Sequence, residues 1–133
     1  MSQTHLEMPP PPIVIEPSTV QLFRYSAVTW NPHRIHYDQD WARHEGYPGV
    51  LVQSHLHAAN AIRVVTQGLG SDWELRRFAY RVLRPAWAGV RLTAEATSLA
   101  RTADGKRIEA TLREKNAEGA ECLSGKATAE RVR

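Results

Sequence analysis

The chain has 133 residues and carries 17 Lys and Arg against 14 Asp and Glu, a formal charge of +3 spread along its length. This length supports one domain that hides roughly two thirds of its unfolded surface, and so small and dispersed an excess excludes a nucleic-acid footprint while suiting an anionic small molecule. The lone cysteine, Cys122, excludes an internal disulfide and a Cys-based zinc site and points to a reducing compartment, so a cytoplasmic protein is expected; no apolar run nears the ~20 residues of a membrane helix.

Residues 1 to 12 end in Met8-Pro9-Pro10-Pro11-Pro12, a run with almost no backbone donors and a preference for an extended shape, read as an N-terminal arm ahead of a single domain over 13–133. Val20 to Val28 is rich in aromatic and β-branched residues in loose alternation, which predicts a strand ended by Asn31-Pro32. Asp38 to Glu45 predicts a short helix capped by Asp38 and closed by Gly46. Val50 to Gln67 predicts a helix of about five turns, since Val52, Leu56, Ala59 and Ile62 recur at three- and four-residue steps. Gln53, His57 and Asn60 form a thin polar line along it, facing either solvent or a second subunit.

The remainder reads as strands. Trp73 to Leu83 changes phase near Arg76-Arg77, the signature of a bulge. Val90 to Leu99 alternates, Asp104-Gly105 signals a hairpin into Ile108, Ala110 and Leu112, and Asn116 to Gly119 turns into a last strand carrying Leu123, Ala127 and Ala129. One strand, one long buried helix and then an antiparallel meander is an α+β order in which the sheet must curl around the helix. Alanines on both partners, among them Ala58, Ala61, Ala94 and Ala127, allow the close approach.

The segment from Phe23 to Leu56, with Ser26, Asn31, Pro32, His36 and Asp38 ahead of the long helix, resembles the MaoC-like enoyl-CoA hydratase and dehydratase family. The stretches FRYSAVTWNPHRIHYD and EGYPGVLVQ are similar to the branch that holds mesaconyl-C4-CoA (3-methylfumaryl-CoA) hydratases and mitochondrial 3-hydroxyacyl-thioester dehydratases, and the likeness runs on through FAYRVLRPAWAG. It implies a single hot-dog fold and reversible water addition to an enoyl thioester. It also implies an acyl-CoA or acyl-carrier thioester as substrate, no further cofactor, no metal, and a homodimer or higher oligomer. The family's Asp falls on Thr29, and its His-Gly pair on Gln53-Ser54, with His55 beside it.

Such a reaction needs a base for water, an acid for the α-carbon, and a dipole or positive charge at the thioester oxygen. His36 is the candidate base, with Asn31 and Thr29 to hold the water or orient the ring. The start of the long helix at Gln53 and Ser54 offers free N–H groups to the thioester oxygen, and His55 is a second candidate acid. Tyr25 and Arg34 complete the candidate substrate contacts, although Tyr25 equally suits a core, and Arg76, Arg77 and Arg84 are further cations for CoA phosphates. A different reading follows from Thr29, Gln53 and Ser54: a subunit that serves as the binding or structural half of a hetero-oligomer. Thioester hydrolysis ranks lower, because Val50 to Gln67 contains no Asp or Glu to activate water.

Overall fold

The structure is a computed structural model that describes residues 3–5 and 9–133. Positions 1, 2 and 6–8 of the Pro-rich arm lie outside the described residues.

Sequence signals and structure agree best in the C-terminal half. Strands β3 (Trp73–Val82), β4 (Leu92–Thr102), β5 (Arg107–Lys115) and β6 (Glu121–Arg131) follow in chain order, and the turns from β4 to β5 and from β5 to β6 carry Gly105 and Gly119 at φ 70° and 82°. Two short strands, β1 (Gln3–His5) and β2 (Ile13–Ile15), pair with opposite ends of β4. The described residues thus form a six-stranded antiparallel sheet in the order β1-β4-β5-β6-β3, with β2 alongside β1 on the β4 edge. The register of β3 on β6 slips between Leu75 and Arg77, where the change of phase in the sequence places a bulge. A second slip, between Ala96 and Ser98, moves the core-facing phase of β4 from Leu92 and Ala94 to Leu99.

Three α-helices precede the meander: α1 (Thr19–Thr29), α2 (Gln39–His44) and α3 (Ser54–Gly68). Asp38 caps α2 as expected, its Oδ1 accepting from the Trp41 amide at 3.0 Å. The long helix α3 lies in the concave face of the sheet and presses Ala58, Ala61, Val64 and Val65 against Ile108, Leu112, Leu123 and Ala127. Small residues on both surfaces let the helix seat this closely, and each fully buried Leu or Val contributes about 1.5–3 kcal/mol. At its far end Gly68 leaves space for Pro10, whose Cβ stands 2.4 Å from where a Cβ on Gly68 would be.

Two predicted elements are corrected. Val20 to Val28 is not a strand but the body of α1. Ser18 caps it by accepting from the Gln21 amide at 3.1 Å, and only Leu22 and Ser26 are buried, one turn apart. Val20, Phe23 and Val28 are exposed, so the β-prone side chains have no half-buried sheet surface to occupy. Residues 50–53 are extended rather than helical, because their backbone is claimed elsewhere: Leu51 N–H donates to Ile35 and Val52 N–H to Ala86, both at 2.8 Å. The polar line of α3 faces neither solvent nor a free surface. Gln53, His57 and Asn60 are 0%, 1% and 2% exposed.

Candidate active site

Helix α1 ends at Trp30, which takes the left-handed conformation at φ 52° and lets the Asn31 amide donate back to the Ser26 carbonyl at 2.9 Å. Pro32 forbids continuation, and the chain turns through a single 3-10 turn, Arg34–His36, capped by the His33 ring. This path delivers Asn31 and His36 to the same place, beside the extended residues that lead into α3.

His36 is buried, and its hydrogen bonds define its chemistry. Its Nδ1 lies 2.8 Å from the Leu51 carbonyl, which can only accept, so Nδ1 carries the proton and Nε2 carries the lone pair. The Asn31 amide nitrogen approaches that Nε2 at 3.4 Å. Burial lowers the pKa of His36 below the ordinary value of 6.5, opposed by the Leu51 hydrogen bond and reinforced by nearby His33. The ring is therefore kept neutral and basic at Nε2.

His36 and Asn31 line a cavity of about 670 Å³, a size typical of small-molecule sites, together with Ser54, His55, His57 and Arg84. Its wall on the helix side is the start of α3. The Gln53 side chain makes no capping bond, and the Leu56 and His57 amides both donate to the Gln53 carbonyl, at 3.0 and 3.1 Å. The Ser54 and His55 amides are therefore left as orphan donors at the positive end of a 15-residue helix. Among the described residues, no Asp or Glu lines this cavity and no cluster of three His, Cys, Asp or Glu is arranged to hold a metal ion.

The other sequence candidates lie elsewhere. Thr29 spends its hydroxyl on the Tyr25 carbonyl at 2.6 Å, within α1 and outside the cavity. Tyr25 packs beside a second core cluster around Leu22 and Val52. Arg34 pairs with Asp38 at 2.6 Å and stacks 4.4 Å from the Trp41 ring centre, while Arg76 is held by Glu74 and Glu130. Gln53 points away from the cavity and fastens the helices: its Nε2 donates to the Leu22 carbonyl at 2.7 Å and to Ser26 Oγ at 2.9 Å.

Sequence reasoning missed a further group. His57 Nδ1 bonds to Glu114 Oε1 of β5, and Asn60 Nδ2 donates to Glu114 Oε2 at 3.2 Å, all three side chains being buried. The signal was the i, i+3 pair His57 and Asn60 set among Leu56, Ala58 and Ala61, together with Glu114 in the same phase of β5 as Ile108, Ala110 and Leu112.

Comparison with known proteins agrees with this arrangement. The chain is 48% identical over 60 residues to a mesaconyl-C(4)-CoA hydratase of Chloroflexus aurantiacus, covering 41% of this chain and 21% of that protein. It is 31% identical over 78 residues to a mitochondrial hydroxyacyl-thioester dehydratase type 2 of Schizosaccharomyces pombe, covering 56% and 25%. The chain thus spans about a fifth to a quarter of the curated relatives it matches. In fold it superposes on an (R)-hydratase from A. caviae involved in PHA biosynthesis with a TM-score of 0.84, at 19% identity over 91% of this chain and 92% of that one. The family model for hydroxyacyl-thioester dehydratase type 2 matches residues 2–88, which include the whole of α1, the 3-10 turn, α2 and α3. The match over residues 2–88 places the chain in the hydroxyacyl-thioester dehydratase type 2 family, and the curled antiparallel sheet around a central helix is the hot-dog fold.

Proposed function

We propose that the chain catalyses reversible addition of water to an enoyl thioester, giving a 3-hydroxyacyl thioester. One observation carries the reading: the Leu51 carbonyl fixes the His36 tautomer with Nε2 as the basic nitrogen, and the ring lines the same cavity as Ser54 and His55, the first residues of α3. A thioester bound with its oxygen at the Ser54 and His55 amides has its β-carbon toward His36. Water held between Asn31 and His36 loses a proton to Nε2 as its oxygen bonds to the β-carbon. The displaced π-electrons move to the thioester oxygen, where the amides and helix dipole stabilise the enolate. In the reverse direction the β-hydroxyl leaves with the proton that His36 returns.

Exposed Arg84 at the cavity wall suits a CoA phosphate, and the buried thiol of Cys122 is consistent with a reducing compartment such as the cytoplasm. The unpaired side of β3 suits a second copy of the chain, so a homodimer is the expected assembly. The test is turnover of crotonyl-, mesaconyl- and 3-hydroxyacyl-CoA, followed through the absorbance of the conjugated thioester. Hydration by the wild type and a loss of about 10²–10⁴-fold in His36→Ala are expected. No turnover of any of the three, or a His36→Ala protein as active as wild type, removes the reading.

The absence of a carboxylate from the cavity lining among the described residues favours a second reading, in which the chain is the binding half of a hetero-oligomer. Purification from the native source separates the two: an active homodimer excludes the second, and an inactive chain that gains activity only with a different subunit supports it.

A further inference from the structure

The buried trio His57, Glu114 and Asn60 has no part in the reading above, yet it adjoins the same cavity. Glu114 is 0% exposed and receives both of its polar contacts from α3, one oxygen facing His57 Nδ1 and the other Asn60 Nδ2. A fully buried carboxylate is costly unless it is matched, and here the matching group is the imidazole. Whichever partner carries the shared proton, the ring is held in one orientation, because its Nδ1 is committed. Its Nε2 is buried and has no hydrogen-bond partner, and His57 is part of the cavity lining. A core histidine with a merely structural task would be expected to satisfy both nitrogens. A carboxylate behind one nitrogen and nothing on the other is the arrangement that keeps an imidazole ready for a group arriving from the cavity.

Hydration requires a second proton transfer that His36 does not supply while it holds the proton of water. We propose that His57, positioned by Glu114, delivers the proton to the α-carbon. This rests on the hydratase reading. As water adds to the β-carbon and His36 Nε2 takes the water proton, the enolate electron pair re-forms the thioester carbonyl and a C–H bond at the α-carbon, drawing the proton from His57 Nε2. One water has then been added, His36 has gained a proton and His57 has lost one, and exchange with solvent restores both. His57 contacts substrate and is a catalytic residue in this scheme. Glu114 acts through it and is a positioning residue, as is Asn60. The ionisable or charged groups that face His57 or share its cavity are Glu114 from β5 and, in the cavity lining, His36, Tyr47, His55 and Arg84.

The test uses the full chain with crotonyl-CoA as substrate and butyryl-CoA as a saturated, unreactive probe. His57→Gln is expected to lower kcat about 10²–10³-fold with KM changed less than about twofold, and imidazole added to His57→Ala to restore part of kcat. Glu114→Gln is expected to lower kcat less than His57→Gln, again with little change in KM. In ¹⁵N-histidine spectra of the wild type, bound butyryl-CoA is expected to shift the His57 Nε2 resonance, a readout that does not require any variant to fold. A folded His57→Gln protein with wild-type kcat, or a His57 Nε2 signal unmoved by bound butyryl-CoA, overturns this inference and leaves the His36 mechanism standing. A wild type that turns over no thioester overturns both.

Discussion

A neutral imidazole that donates through one nitrogen can accept only through the other, and at His36 the Leu51 carbonyl makes that choice. The consequence is a pH dependence with a definite sign. Protonated His36 cannot take a proton from water, so on the acid side kcat/KM rises with pH through the native pKa of His36. Because burial lowers that pKa from 6.5, the acid limb is expected below pH 6.5, and a limb at or above 6.5 contradicts the environment described. Gln53 has the opposite kind of role. Its amide holds Leu22 and Ser26 to the start of α3, so Gln53→Ala removes both bonds, takes the partner from the buried Ser26 hydroxyl, and is expected to cost about 1–3 kcal/mol in urea unfolding. The sequence reveals His36 and Asn31 through the Asn-Pro-x-x-x-His spacing. It does not reveal that Gln53 faces α1 or that Thr29 is satisfied within its own helix, since both depend on a direction of side chain that spacing alone does not specify.

At the scale of elements, strands were more legible than the helix that begins the site. The bulge at Arg76-Arg77, the Asp104-Gly105 hairpin and the Asn116 turn have local causes in residue type and phase, and each appears where those causes place it. α1 fails the same procedure because its buried set is only Leu22 and Ser26, too few to show a helical period, while its exposed Val20, Phe23 and Val28 carry β propensity. The start of α3 was read four residues early for a related reason: Val50, Leu51 and Val52 are apolar enough for a helix, but their amides and carbonyls complete pairings with Ile35, Ala86 and Ala88. Sheet packing offers a direct check. A Cβ on Gly125 of β6 would stand 2.9 Å from the Phe78 ring and 3.2 Å from the Ala79 carbonyl oxygen. Gly125→Ala is therefore expected to destabilise by about 1–3 kcal/mol, measured as a lower unfolding midpoint with the slope unchanged.

Over the whole molecule, the α+β order and the curling of the sheet around one helix follow from the alternation of the last four strands and the alanines that line both surfaces. The polar trio in the centre does not follow, because His57 and Glu114 are 57 residues apart and meet only through the pairing of α3 with β5. The outer edge of β3 is unpaired among the described residues, and its Arg76, Arg77 and Arg81 discourage indiscriminate edge pairing. Sedimentation at micromolar concentration is expected to give twice the chain mass, and a monomer would contradict the proposed homodimer. The central claim concerns where an acyl thioester rests, and the most direct measurement is a crystal structure with butyryl-CoA bound. The account predicts the thioester oxygen about 3 Å from the Ser54 or His55 amide nitrogen, with the β-carbon beside His36 Nε2. An acyl group seated outside that cavity, or a thioester oxygen turned away from the start of α3, would contradict it.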